Sequence, residues 1–193
     1  YRGALGSRGK SAVREGRGLT YGLVIFFCVF AGAFLFLRSS YFDVREFVVL
    51  GNERVPYEEI LARAGQSASN IFAFDLDKAV SLIETSPWIE SATAERKLPD
   101  AIVLTVTERV PIAFTPVGGD MWLVDKSGRV LGLDDGSWNG LVALTGPAQS
   151  VIPGEFLDGQ SYGWGLRLYS ALGALSLDKL TEISVQDDEI ALI

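Results

Sequence analysis

Residues Ile89–Arg109 read IESATAERKLPDAIVLTVTER. In the second half Ile102, Leu104 and Val106 alternate with Val103, Thr105 and Thr107, the period of a strand with one buried face. The first half, Ile89–Lys97, is also strand-like, and Leu98-Pro99-Asp100 separates the two as a turn. A small sheet is therefore expected here, and the residues upstream supply its cover.

Immediately before it, Pro87 disfavours the helical conformation in Ser86 and ends a helix. That helix has Asp75 as its N-cap and Leu76, Ala79, Val80 and Ile83 at the spacing of one buried face. A second helix is expected from Pro56 to Ala64. Pro56 suits a first helical position, Glu58 and Glu59 suit the positive dipole end, and Gly65 is the stop. Its inner stripe is Ile60, Leu61 and Ala64. Phe42–Leu50 reads as a strand closed by Gly51-Asn52. The order over Phe42–Arg109 is thus strand, helix, helix, strand, strand, an α+β layer arrangement.

Further upstream, Leu19–Leu37 reads LTYGLVIFFCVFAGAFLFL, without charge or proline. As a helix rising about 1.5 Å per residue it reaches about 28 Å, close to the roughly 30 Å of a bilayer's hydrocarbon. Residues 1–18 hold five Lys and Arg against one acid, so the positive-inside bias places them in the cytoplasm and the rest outside. Leu35–Ser40 offers no small-x-small cleavage site, which favours an uncleaved anchor over a signal peptide. The tail 1–18 has no apolar period and is expected to be disordered. Tyr41 and Phe42 are expected at headgroup level.

Net charge over the chain is −7, but residues 39–193 carry 11 Lys and Arg against 23 Asp and Glu. An acidic exported part argues against nucleic acid as a ligand, because phosphate contacts need clustered cations. The chain has no histidine, which removes the commonest general base and metal ligand. Its single cysteine, Cys28, lies in the apolar run, so no intrachain disulfide forms. Cys28 and Gly32 form a small-xxx-small pair, read as lipid-facing. The chain starts at Tyr1 and stops at Ile193 inside a strand-like run, so both ends are expected to be incomplete.

From Val110 onward the segments are short and β-like. Trp122–Val124 and Arg129–Leu131 flank a hairpin turn, Asp125–Gly128. Leu141–Leu144 is a strand, ended by Gly146-Pro147. Tyr162–Leu175 is a helix with Leu168, Leu172 and Leu175 on one side, although Gly163, Gly165 and Gly173 weaken it. Glu182–Val185 and Glu189–Ile193 are strands around Asp187-Asp188.

Gly51-Asn52, Asn70-Ile71-Phe72, Pro87-Trp88-Ile89, Ala92, Arg96-Lys97-Leu98-Pro99 and Glu108-Arg109-Val110-Pro111, in that order, resemble the POTRA domain of the bacterial division proteins FtsQ and DivIB. Trp122–Val130 resembles the start of that family's β domain. The resemblance implies a cytoplasmic tail (1–18), an anchor (19–37), a POTRA domain (42–110) and a β-rich domain (111–193) cut short at Ile193. It also implies a scaffold at the division septum in the inner membrane, with FtsB and FtsL as partners and a docking edge for FtsB beyond Ile193. Two departures stand out: Pro56 where a capping Ser is common, and Ala94 where a larger apolar residue is usual.

Taken residue by residue, the family motif reads as structural. Gly51 serves a turn, Trp88 fills the core beside Pro87, and Arg96 closes the sheet rim. Asp75-x-Asp77 reads as a helix N-terminus and not a metal pair, and Asp134-Asp135 and Asp187–Glu189 read as solvated turns. No catalytic, cofactor or metal residue is expected, and no small-molecule substrate. Two other readings compete with the scaffold. A polypeptide-translocation component would normally precede a long β-barrel and carry a cleavable signal. An envelope enzyme would commonly use a histidine as general base, and the chain has none.

Overall fold

The computed structural model describes residues 12–65, 70–146, 150–157, 160–172, 182–186 and 189–192. Helix α1, Ala12–Leu37, comes first. Its part Thr20–Leu37 is long and apolar enough to cross a membrane, and none of it is buried against the rest of the protein. Residues 12–18 continue this helix, so the expected disordered tail is corrected there. Once a helix has formed, each added residue costs little, and Ala12, Arg14 and Glu15 are good helix formers. Residues 1–11 lie outside the described residues.

The first module carries strand β1 (Glu46–Leu50), helices α2 (Tyr57–Ala64) and α3 (Leu76–Ile83), and strands β2 (Ile89–Lys97) and β3 (Ala101–Glu108). The sheet order is β1-β3-β2, with β1 parallel and β2 antiparallel to β3. The alternation in β3 resolves as expected: Ile102, Leu104 and Val106 are buried beneath the helices. They meet Ile60, Leu61 and Ala64 of α2 and Ala79 and Ile83 of α3. Asp75 caps α3 by accepting the Lys78 N–H at 3.0 Å. Gly65 ends α2 in the left-handed region, φ 75°. Pro56 is the N-cap of α2, one residue before the helix, because its ψ of 143° is extended.

Two expectations fail at the entrance. Ser40–Phe42 is a single 3-10 turn, and β1 begins only at Glu46. Phe42 is 8% exposed and belongs to the core, not to the headgroup layer. Its ring packs against Phe36, Tyr41 and Phe72, and its carbonyl accepts the Ile71 N–H at 2.8 Å. Apolar burial outweighs strand propensity at this residue.

The second module is a mixed sheet ordered β6-β5-β4-β7-β8-β9. Its strands are β4 (Pro111–Val117), β5 (Asp120–Asp125), β6 (Val130–Leu133), β7 (Val142–Thr145), β8 (Glu182–Gln186) and β9 (Glu189–Leu192). The Asp125–Gly128 hairpin forms as read, with Gly128 at φ 86°. Helix α4, Gln160–Leu172, crosses between the parallel strands β7 and β8, and buries Tyr162 and Leu166. Leu175, Gly173, Pro147, Asp187-Asp188 and Ile193 lie outside the described residues, as do the side chains of Leu168 and Leu172.

Gly51 has φ 81°, and a Cβ there would strike the Val106 carbonyl oxygen, whereas one at Gly65 (φ 75°) meets nothing within 4 Å. Gly51→Ala is expected to destabilise the full chain by about 2 kcal/mol or more, against about 1 kcal/mol for Gly65→Ala. Urea unfolding in detergent micelles, followed by circular dichroism, measures the difference.

Candidate protein-docking joint and sheet edges

The turn after β1 is held by a carboxylate from the far end of β3. Glu108 accepts the backbone N–H groups of Glu53 at 3.0 Å, Arg54 at 2.9 Å and Val55 at 2.8 Å. Asn52 braces the same loop by donating to the Val55 carbonyl at 3.2 Å. Backbone donors that converge like this are well matched to an anionic acceptor.

The loop so fixed aims Arg54 at the second module. Its guanidinium stacks on Trp88, 4.5 Å from the ring centroid, and lies 5.4 Å from that of Trp138. It also donates to Asp135 at 2.6 Å and to the Ser137 hydroxyl at 3.2 Å. Asp135 is an exposed turn residue, as read from the sequence, and is also half of an ion pair between modules. Hydrogen bonds from the Ser137 hydroxyl and backbone, with Arg54 beside them, hold its carboxyl below the ordinary value. Trp88 is half-buried, packs against the core of the first module, and also supports Arg54.

A buried pair lies on the other side of the linker. Arg109 donates to Asp125 at 2.7 Å and to the Ile89 carbonyl at 3.2 Å. Asp125 is 2% exposed and also accepts the Ser127 hydroxyl and the Ser127 and Arg129 N–H groups. Burial alone would raise its carboxyl pKa. The bonds from Ser127, Arg109 and Arg129 outweigh that and leave it lowered. Pro111 is paired opposite Asp125 in the β4–β5 ladder, and Pro87 faces Gly154. A groove of about 500 Å³ opens at this joint, lined by Gly51, Glu53, Arg54, Glu108, Val110 and Trp138.

The motif residues thus separate into two groups. Gly51, Asn52, Pro87, Trp88, Glu108 and Pro111 gather at the joint. Arg96 and Pro99 stand at the opposite end of the sheet, where Arg96 donates to the Ile71 carbonyl at 2.8 Å and to the Phe74 carbonyl at 2.7 Å. Sequence reasoning missed Arg54, Asp125 and Trp138. The spacing Asp125-x-Ser127 is a local turn signal, but nothing near Arg54 announces partners some eighty residues away.

The four strand edges differ in cover. On β1 the Phe47 carbonyl accepts from the Tyr57 hydroxyl, and on β2 the Ala92 N–H donates to Glu84. On β6 Val130 exchanges bonds with the Gly154–Glu155 segment. Among the described residues, β9 pairs only with β8.

The family model of the POTRA domain, FtsQ-type, matches residues 42–109. The cell division protein FtsQ of Syntrophotalea carbinolica is 34% identical over 172 residues, 86% of this chain and 60% of its own length. The chain belongs to the FtsQ/DivIB family. FtsQ of Koribacter versatilis is 44% identical over 82 residues, covering 42% of this chain and 24% of the relative. DivIB of Clostridium botulinum is 30% identical over 98 residues, covering 50% and 38%. The chain spans at most about three fifths of these FtsQ and DivIB relatives. Upstream of the matched POTRA domain, this chain carries the helix Thr20–Leu37, long and apolar enough to cross a membrane.

Two outcomes are expected at the joint. Glu108→Ala removes the acceptor of three N–H groups and should cost about 1.5–3 kcal/mol, read by the same urea titration. Asp125 binds its proton more weakly folded than unfolded. Its contribution to stability is therefore complete above the ordinary carboxylate range and is lost as pH falls through the depressed folded value. Thermal melts from pH 6 down to pH 2 should fall less steeply, below about pH 4, for Asp125→Asn than for the parent.

Proposed function

We propose that this chain is a non-catalytic scaffold of the bacterial division machinery, anchored in the cytoplasmic membrane and concentrated at the septum. The observation that carries the proposal is the likeness to FtsQ over 86% of the chain, which takes in more than the POTRA module alone. The basic residues before the apolar helix favour a cytoplasmic N-terminus and two exported modules. One anchor with modules beyond it raises the effective concentration of whatever binds them.

Its partners are other division proteins, FtsB and FtsL among them, through which it would help control septal peptidoglycan synthesis. Strand addition is the physical means: an unpaired sheet edge offers N–H and C=O groups to a partner's backbone. Among the described residues, side chains or loops already occupy groups on the β1, β2 and β6 edges. The division names of the relatives favour this reading over translocation.

A fluorescent fusion of the full reading frame should gather at midcell and co-purify with division proteins, and its depletion should give undivided filaments. Even membrane fluorescence with normal septation on depletion would reject the division role. Hydrolysis or ligation of peptidoglycan fragments by the purified protein would reject the non-catalytic part.

A further inference from the structure

The first module has an apolar, basic end beside the anchor. The Asn70 side chain donates to the Leu37 carbonyl at 3.0 Å, so the loop before α3 caps the last turn of α1. The same side chain accepts the Phe72 N–H at 3.0 Å. Phe36, in the apolar run, packs edge-on against Phe42 at 5.3 Å between centroids, and Phe42 meets Phe72 at 5.2 Å. Arg96 grips the Ile71 and Phe74 carbonyls on either side of Phe72. The Asp100 carbonyl accepts the Arg45 and Glu46 N–H groups, which brings the β2–β3 turn, with Leu98, to this end too.

Three large apolar side chains stay in the open here: Tyr41 at 58%, Phe72 at 45% and Leu98 at 60% exposure. Arg38, Arg45 and Lys97 are exposed beside them. The acids at this end are Asp43, Glu46 and Asp100, and Asp100 reaches Arg45 only at 4.0 Å. Aromatic rings ringed by Lys and Arg are the chemistry of a bilayer's interfacial layer, where rings meet acyl boundary and cations meet phosphate.

We propose that this end is a membrane-contacting foot: Tyr41, Phe72 and Leu98 enter the interfacial layer of the phospholipid bilayer, and Arg38, Arg45 and Lys97 meet its phosphates. The occupant is lipid because the patch is continuous, through Phe36 and the Asn70 cap, with the helix that crosses the membrane. The foot fixes the tilt of the POTRA module on the membrane. It rests on the anchor reading, and the test separates the two.

The test uses the full chain in vesicles of phosphatidylcholine and phosphatidylglycerol. Nitroxide labels are placed singly at native Cys28 or, in a Cys28→Ser background, at Phe72→Cys, Leu98→Cys or Leu133→Cys. Depth is read from collisions with oxygen against a water-soluble nickel chelate. Leu133, 52% exposed on β6 near the joint, is the control away from the foot. The expected result is Cys28 deep in hydrocarbon, Leu133 in water, and both Phe72 and Leu98 within about 5–10 Å of the headgroup–acyl boundary. Cys28 deep with Phe72 and Leu98 as wet as Leu133 overturns the foot alone. Cys28 in water overturns the anchor and the foot together. Spin–spin broadening at Phe72 that persists in detergent micelles makes the patch a contact between copies, and also overturns the proposal.

Discussion

Glu108 places a carboxylate at the end of β3, where the N–H groups of Glu53, Arg54 and Val55 converge. Without it, three donors in a tight turn would depend on water, and the turn could take other shapes. With it, the loop after β1 is locked to the strand that leads into the second module. Arg54 then projects across the linker onto Trp88, Trp138 and Asp135. Arg109, the next residue after Glu108, reaches the buried Asp125. Two neighbouring residues of one strand end therefore organise both sides of the joint.

That joint matters for the scaffold role proposed above. A flexible linker would let the modules sample many separations and weaken any partner that touches both. Charge-assisted bonds and a stacked guanidinium restrict the separation without an extensive apolar interface. At the other end, the Asn70 cap and the Phe36–Phe42–Phe72 contacts tie the POTRA module to its anchor.

Patterns that repeat within one element were legible in the sequence. The stripes of α2 and α3, the alternation in β3, the Asp75 cap and the Gly128 hairpin all follow from local spacing. Strand β4 was not seen, because Pro111 and Pro116 interrupt its alternation, yet Ala113 and Thr115 are buried in it. Phe42 misled because aromatic residues beside an apolar helix ordinarily sit at the headgroups, and here the ring turns inward. The joint was invisible for another reason: Arg54 meets Asp135 and Ser137 across 81 and 83 residues, a distance no short-range pattern encodes. The family motif marked Glu108 and Trp88 without saying what they hold.

The parallel pairing of β1 with β3 has a mechanical consequence. The anchor enters at the start of β1, and the second module leaves from the end of β3. A pull between membrane and partner would drag these two strands past one another along their length. Every rung of the ladder from Glu46–Ala101 to Leu50–Thr105 would then be strained at once, instead of opening one after another like a zip. A five-rung clamp in shear is a sturdy way to carry tension through a small domain.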